Sequence, residues 1–269
     1  MKRRDFLAAS AAAAIGLTLS KPARSADDKA AKQLVELRLY TFASPEKQKA
    51  FEDFLASAML PALNRASVNP VGVFQAFKGD FPKTTLKSDT PHLFLLLPHN
   101  SAESFVTLAD RLAADEAYQK AAPAILDAPR KDPAYASCET SVILSFDAIP
   151  KVETPTKAAS RVMQLRLYQA HNDAKAYRKM QMFSEGKEIQ VFRDCAMPPV
   201  FGGRALAGAH FPNVTYMLAF DDEAAMAKGW STFGRSPGWQ TLRADETYKD
   251  TDPSLIINLV LRPAASSQI

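Results

Sequence analysis

The chain has 269 residues, is 47% hydrophobic and 23% charged, and has a mean hydropathy of -0.17. These values are ordinary for a globular protein with a substantial buried core. The formal net charge is +4, but residues 1–25 carry this whole excess, because they hold five lysines and arginines against one aspartate. The rest of the chain is neutral overall, which excludes binding of nucleic acid or anionic membrane through net charge.

The first 25 residues have the pattern of a secretory signal. A basic start is followed by an apolar, alanine-rich run at residues 6–19 and by small residues that predict cleavage before Ala26. The pair Arg3 and Arg4, with phenylalanine and leucine after the next residue, is typical of twin-arginine export in bacteria. Because the run is shorter than the ~20 residues that cross a bilayer, we expect a cleaved leader and a periplasmic or secreted protein.

Residues 26–146 predict the order strand, helix, strand, strand, helix, strand. The first strand, Val35–Tyr40, alternates leucine with polar or aromatic residues, as does a strand with two unlike faces. The dipeptide Ser44-Pro45 predicts a helix start, and Asn100 with Glu103 predicts the capping box of a second helix. The other predicted strands are Val71–Phe77, Leu93–Leu97 and Thr140–Phe146.

The same order of elements follows a second time after a linker at residues 147–160, which contains prolines, lysines and threonines. The stretch Gln164–Tyr168 repeats Glu36–Tyr40 almost letter for letter. Likewise, Pro198-Pro199-Val200 takes the place of Asn69-Pro70-Val71. These matches predict an internal duplication.

Each half has the element order of a ferredoxin-like unit, in which both helices cover one face of a four-stranded sheet. The other face would be exposed in an isolated half, so the two halves are expected to cover each other. We therefore predict an α+β fold in which two tandem ferredoxin-like repeats, residues 26–146 and 161–269, form a dimeric α/β barrel within one chain. A cavity is expected between the two sheets.

The second half resembles the NIPSNAP family over residues 161–262. The resemblance is carried by Leu165-Arg166-Leu167-Tyr168, Met182-Phe183-Ser184-Glu185-Gly186, Phe192-Arg193, Met197-Pro198-Pro199-Val200-Phe201-Gly202 and the run from Pro212 to Phe220. The first half matches only through Glu36–Tyr40 and its general layout, and so resembles a diverged copy. The resemblance implies a dimeric α/β barrel of the ferredoxin-like type and no particular reaction.

The charged and aromatic residues of the repeated strands are the first candidates for a site. If the leucines face the helices, the alternate residues face the barrel interior: Glu36, Arg38 and Tyr40 in the first half, Gln164, Arg166 and Tyr168 in the second. A buried arginine needs an acceptor, because an unpaired charge is costly there. Arg38 and Arg166 therefore either bind an anionic ligand or pair with carboxylates such as Glu36 and Glu185. Both alternatives stay open.

Three further residues are candidates to line the same site. Glu185 precedes Gly186, so it either projects at a helix kink toward the sheet, where it could act as a base, or is a solvated surface carboxylate. His210, in a loop that contains glycine, is the histidine best suited to proton transfer, although most loop histidines have no such role. Tyr216 belongs to the family-like run. The two tryptophans are expected to fill the core.

No motif indicates a metal or another cofactor. The sequence lacks a nucleophile elbow, a phosphate-binding glycine loop and a dinucleotide fingerprint, so neither a hydrolase nor a dehydrogenase is indicated. Cys138 and Cys195 lie one in each half. They could form a disulfide in an oxidising compartment or remain buried free thiols.

Three functions fit these observations. The first is binding of a small organic ligand in the barrel cavity, lined above all by Arg166, Tyr168, Glu185 and His210. The second is a cofactor-independent monooxygenase or isomerase that uses the same cavity. The third is a non-catalytic assembly protein, in which the sheets serve only association into a homo-oligomer.

Overall fold

The computed structural model of the chain describes residues 31–269, in which eight strands form one closed antiparallel barrel with helices packed around it. The strands are β1 Leu34–Thr41, β2 Gly72–Gly79, β3 His92–His99, β4 Ser137–Ser145, β5 Val162–Gln169, β6 Pro199–Ala207, β7 Asn213–Phe220 and β8 Leu255–Pro263. The predicted α+β class and barrel are thereby confirmed. The predicted signal peptide lies outside the described residues.

The α-helices of residues 31–269 fall into four groups, which follow β1, β3, β5 and β7. They are α1 Pro45–Phe54, α2 Leu60–Arg65, α3 Ala102–Val106, α4 Leu108–Ala113, α5 Glu116–Ala121, α6 Pro123–Leu126, α7 Asp173–Ser184, α8 Glu188–Asp194, α9 Glu223–Arg235 and α10 Pro237–Arg243. A π-helical turn, Leu55–Met59, joins α1 to α2 just before Pro61. The distortion expected from this proline therefore lies in the turn that precedes it.

Of the two predicted helix starts, one is confirmed and the other lies one residue further along the chain. The side chain of Ser44 accepts a hydrogen bond from the amide of Lys47 at the start of α1, as a serine cap should. The cap predicted at Asn100 is wrong, because Ser101 caps α3. Asn100 is engaged elsewhere, since its side-chain oxygen accepts a hydrogen bond of 2.9 Å from Gln33 next to β1.

The order of strands around the barrel is β1-β3-β2-β8-β5-β7-β6-β4. The first four strands in sequence lie side by side as β4-β1-β3-β2, and the last four lie as β8-β5-β7-β6, so the two sets share one topology. They join at two seams, where β2 pairs with β8 and β4 pairs with β6. Closure of the sheet removes the unpaired edges that each set would have alone.

Two glycines let the backbones approach closely at the seams. Gly79 has φ +135°, which L side chains rarely adopt, and a Cβ there would collide with the carbonyl oxygen of Asn258 in β8. A Cβ at Gly203 would collide with the carbonyl oxygen of Leu144 in β4. Main-chain contact therefore leaves no room for a side chain at these two points.

The described residues form three apolar clusters. One lies inside the barrel and takes side chains from all eight strands. A second lies between β1–β3 and the helices α1, α2, α4 and α5, and includes Phe51, Leu63 and Leu95. The third lies between the last four strands and α7–α10 and includes Phe183 and Phe192. Both faces of the sheet are therefore buried, one by the barrel itself and the other by helices.

Cys138 and Cys195 are both free thiols, the first exposed and the second buried. The two cysteines therefore form no disulfide with each other, and only one of the two thiols is buried. Among the helices within residues 31–269, none combines the length and the apolar character that a membrane crossing requires.

Candidate functional site

The leucines of the two repeated strands face the barrel interior, so the predicted orientation of these strands is wrong. Leu37 and Leu39 of β1 pack with Leu165 and Leu167 of β5 in the interior cluster. Alternation shows that a strand has two unlike faces, but it does not say which face the helices cover. Both faces of these strands are buried here. The leucine face lies in the barrel interior, and the face with the charged and aromatic residues lies under the helices.

The barrel interior encloses a cavity of about 370 Å³. Its walls are apolar side chains of β1, β3, β5 and β8, namely Leu37, Leu39, Phe94, Leu165, Leu167, Ile257 and Leu259. A polar border comes from the loop between β2 and β3, from β4, and from the loop between β6 and β7, including Thr85, Glu139 and His210. The hydroxyl of Thr85 donates a hydrogen bond of 2.9 Å to Glu139. The site is an apolar chamber with a polar border.

His210 is the one predicted site residue that lines this cavity in the described chain. Its loop is held by Asn213, a side chain only 1% exposed. The amide nitrogen of Asn213 donates to the carbonyl oxygens of Ala209 and His210, at 3.1 and 3.2 Å, and its oxygen accepts from Thr215 at 2.9 Å. The asparagine of the family-like run thus fixes the loop that carries His210 over the cavity.

Arg166, Tyr168 and Tyr216 line a second cavity, of about 330 Å³, between β5, β7 and the helices α7–α10. We call it the Arg166 pocket. Its other walls are Lys179 and Glu188, the aromatic side chains Phe192, Trp230, Phe233 and Trp239, and the segment from Asp252 to Ile256. Three predicted site residues therefore lie together, but outside the barrel.

Arg166 is surrounded by aromatic rings instead of acceptors. Its guanidinium carbon lies 4.5 Å from the centre of the Trp230 ring and 5.3 Å from that of Tyr168, within the range of cation–π attraction. Its Nε atom is buried without a hydrogen-bond partner, and no side chain of residues 31–269 forms an ion pair with it. Below it, the hydroxyl groups of Tyr168 and Tyr216 are 2.9 Å apart and share a hydrogen bond.

The floor of the Arg166 pocket contains a buried ion pair that the sequence did not reveal. Lys179 Nζ lies 3.4 Å from a carboxylate oxygen of Glu188, and the two residues are 8% and 2% exposed. Burial raises the pKa of Glu188, although the charges of Lys179 and Arg166 oppose this. Burial also raises the pKa of Tyr216 well above its ordinary value. Perturbed groups that meet in a pocket are typical of functional sites.

Arg38 and Tyr40 lie in the corresponding place of the first half, under α1 and α4–α6. Here the arginine is paired: its Nε donates to Glu36 at 2.6 Å, and its Nη1 donates to the hydroxyl of Tyr40 at 3.3 Å. The other oxygen of Glu36 is 3.1 Å from Nε2 of His99, which is fully buried. Of the two alternatives for Arg38, binding of an anionic ligand or pairing with a carboxylate, the structure shows the ion pair.

Glu185 is exposed at the end of α7, where Gln181 donates to its carboxylate. The alternative of a solvated surface carboxylate is the one that the structure shows. Lys187 has φ 64°, and the reversal of the chain there directs the first residue of α8, Glu188, toward the sheet. A signal was present, because Lys179 falls on the apolar stripe of α7 with Met182 and so needed a buried acceptor.

Metal binding has no support in the geometry of residues 31–269. They contain no group of three or more histidine, cysteine, aspartate or glutamate side chains arranged to hold an ion.

Solved structures of similar fold include two bacterial proteins that cover nearly the same length. The match to a "putative monooxygenase" of Fusobacterium nucleatum subsp. nucleatum ATCC 25586 has a TM-score of 0.54 and 8% identity, and covers 87% of this chain and 93% of that chain. The match to a "putative monooxygenase" of Lactobacillus acidophilus NCFM has a TM-score of 0.54 and 10% identity, and covers 86% and 94%. At such identities the likeness shows the fold alone.

An uncharacterized NIPSNAP-like domain protein of Burkholderia xenovorans also matches, with 18% identity and a TM-score of 0.35, over 40% of this chain and 88% of that chain. No family model and no curated protein matches the sequence.

Proposed function

We propose that this protein binds a small, largely apolar organic molecule inside the barrel. The observation that carries this proposal is the cavity of about 370 Å³, whose walls are leucine, isoleucine and phenylalanine side chains from strands of both halves. A chamber of this volume, mostly apolar and with a few polar groups at its border, is the usual form of a small-molecule site. Transfer of an apolar ligand from water into it is favourable in proportion to the area buried.

The border of the cavity argues against an anionic ligand. Thr85, Glu139 and His210 offer hydrogen-bond donors and acceptors there, whereas no lysine or arginine of the described chain lines the cavity. An anionic ligand would lose its hydration without gaining an opposite charge. One or two fused or linked rings with a single hydroxyl, carbonyl or aromatic amine group suit this lining.

The proposal includes export and the repeat organisation. Residues 1–25 would direct the chain through the twin-arginine route to the periplasm, and residues 26–146 and 161–269 would be two ferredoxin-like repeats joined by residues 147–160. The common strand order of the two sets supports the repeats, and the repeated stretches Glu36–Tyr40 and Gln164–Tyr168 do so as well.

Division of the mature chain within residues 147–160 tests the repeat organisation. Two co-expressed pieces are expected to assemble with each other, because the seams β2–β8 and β4–β6 hold the halves together edge to edge. Co-purification and the circular dichroism spectrum of the intact protein are the measurements. Folding of either piece alone as a monomer would contradict mutual covering of the two sheets.

The ligand proposal is tested with the full-length gene expressed in a bacterium and the protein purified from the periplasmic fraction. N-phenyl-1-naphthylamine, a neutral dye that emits more strongly in apolar surroundings, is expected to bind one molecule per chain. Leu167→Trp, which fills the cavity, should weaken dye binding on the order of 10-fold. Leu206→Trp is the matched control, since Leu206 is 41% exposed and does not line the cavity.

Equal dye binding by both tryptophan variants would overturn the barrel site, provided that both unfold at the temperature of the unmodified protein. Retention of the whole precursor in the cytoplasm would overturn the export proposal, and dye binding is then measured on protein purified from the cytoplasm. Native mass spectrometry of the same preparation identifies any molecule that is retained from the cell.

A further inference from the structure

We propose that the Arg166 pocket is a second ligand site, separate from the barrel cavity, and that it takes a small aromatic carboxylate. The pocket lies on the opposite face of β5, because Arg166 and Tyr168 alternate with Leu165 and Leu167 of the barrel cavity. The two sites share no lining residue. They also differ in chemistry, since cationic groups line only the second.

Comparison with the first half shows that Arg166 lacks a counter-ion. Arg38, at the same position of the repeated stretch, has the carboxylate of Glu36 at 2.6 Å. In the second half the residue at the position of Glu36 is Gln164, which carries no charge. Its side-chain oxygen accepts from Nε1 of Trp230 at 2.6 Å, and its nitrogen donates to Asn258 at 2.7 Å. Gln164 thus holds the wall of the pocket without neutralising Arg166.

Two carboxylates whose charges act on Arg166 are engaged with other groups. Glu188 is paired with Lys179, and Asp80 lies 3.3 Å from Lys83 and accepts a hydrogen bond from the amide of Asn258. Asp252 also lines the pocket, but no carboxylate of residues 31–269 forms an ion pair with Arg166, whose Nε is buried without a partner. A guanidinium group of this kind suits a carboxylate, whose two oxygens match its planar set of donors.

The walls of the pocket select an aromatic ligand among carboxylates. Trp230, Trp239, Phe192 and Phe233 contribute ring surfaces, and rings pack well against rings in offset or edge-to-face arrangements. A phosphate or sulfate ion has no apolar part to pack against these rings, and it would lose more hydration there than a single carboxylate does. The volume of about 330 Å³ limits the ligand to one or two rings.

The position of the tryptophans allows ligand binding in the Arg166 pocket to be measured by fluorescence. The chain has two tryptophans, and both line the Arg166 pocket, so intrinsic tryptophan fluorescence reports on this pocket and not on the barrel cavity. Titration with benzoate is expected to give a saturable change in emission. Benzamide, the uncharged analogue of the same shape, and inorganic phosphate are expected to give none at the same concentrations.

Two substitutions test the role of the unpaired arginine. Gln164→Glu gives Arg166 an internal carboxylate, as Glu36 does for Arg38, and keeps an acceptor for Trp230; it should weaken benzoate binding on the order of 10- to 100-fold. Arg166→Gln should weaken it as much. Arg38→Gln, at the same position of the first half, is the matched control and should leave benzoate binding unchanged.

The inference is overturned if benzoate produces no saturable change, if benzamide or phosphate binds equally well, or if folded Gln164→Glu binds benzoate as the unmodified protein does. Should Gln164→Glu fail to fold, as judged by its thermal unfolding, unchanged benzoate binding by Arg166→Gln overturns the inference in the same way. N-phenyl-1-naphthylamine binding in the barrel should be unaffected by either substitution, which separates the two sites.

Discussion

Replacement of Lys179 by methionine is expected to lower the free energy of unfolding by about 3–5 kcal/mol at about pH 8. Lys179 and Glu188 form a buried ion pair with nitrogen and oxygen 3.4 Å apart. Methionine keeps much of the length and apolar character of the lysine stem, but it leaves the carboxylate of Glu188 buried with only the more distant charge of Arg166. Chemical unfolding in urea, followed by circular dichroism, measures the change.

The loss caused by Lys179→Met should shrink as the pH falls. Burial already raises the pKa of Glu188 above its ordinary value of 4.5, and loss of Lys179 raises it further. The folded variant then holds a proton at a pH where the unfolded chain has released it, so its stability falls as the pH rises through the raised pKa. The deficit is therefore largest at about pH 8 and smaller at about pH 5.

The double variant Lys179→Met with Glu188→Leu should regain most of the lost stability, because removal of both charges leaves no ion buried alone. Lys120→Met serves as the control for an exposed pair: Lys120 and Glu116 have side chains 78% and 85% exposed, and its effect should be below about 0.5 kcal/mol. If the double variant were no more stable than the single one, lost packing and not charge would be the cause.

Replacement of Glu36 by glutamine is expected to cost about 3 kcal/mol at about pH 7. The carboxylate of Glu36 is 3% exposed and lies between Arg38 and His99. Glutamine preserves the size of the side chain but removes the charge that compensates Arg38, so a largely buried guanidinium group is left without its ion pair. Urea unfolding of both proteins measures the difference.

The cost of Glu36→Gln should disappear in acid. Burial raises the pKa of Glu36, but hydrogen bonds from His99 and Arg38 and the charges of both outweigh burial, and the net pKa is lowered from 4.5. A carboxyl group with a lowered folded pKa adds stability above its unfolded pKa, and that stability is lost as the pH falls through the folded pKa. The two proteins should therefore converge below about pH 4.5. Glu116→Gln, on the exposed pair, should show neither the cost nor the convergence.

The strands and their order were predictable from the sequence for a physical reason. Val35–Tyr40 and Val162–Tyr168 alternate because each face of the sheet meets a different environment. The recurrence of the first stretch in the second half of the chain is what predicted two units of the same element order. The strand Leu93–Leu97 is apolar throughout, which is typical of a strand buried on both faces. This run was the available sign that helices and barrel interior both cover the sheet.

The candidate site was harder to predict, because it depends on contacts between residues distant in sequence. Arg166, Tyr168 and Tyr216 line one pocket, but it lies outside the barrel and not inside it as predicted, since alternation does not distinguish the two buried faces. The ion pair of Lys179 and Glu188 joins two helices across a left-handed residue at Lys187. The helical periodicity of α7 does not extend across this break. The sequence pattern therefore did not show that Glu188, and not Glu185, faces Lys179.

Gly79 and Gly203 restrict how the two halves of this protein can be exchanged for others. At both points, one strand meets the main chain of the other half so closely that any side chain would displace it. Compatibility between halves therefore depends on backbone shape at these two points of the seams, in addition to the side chains that pack across them. A half taken from another barrel of this topology can complete the barrel only if its backbone at the seams leaves the same room beside Gly79 or Gly203.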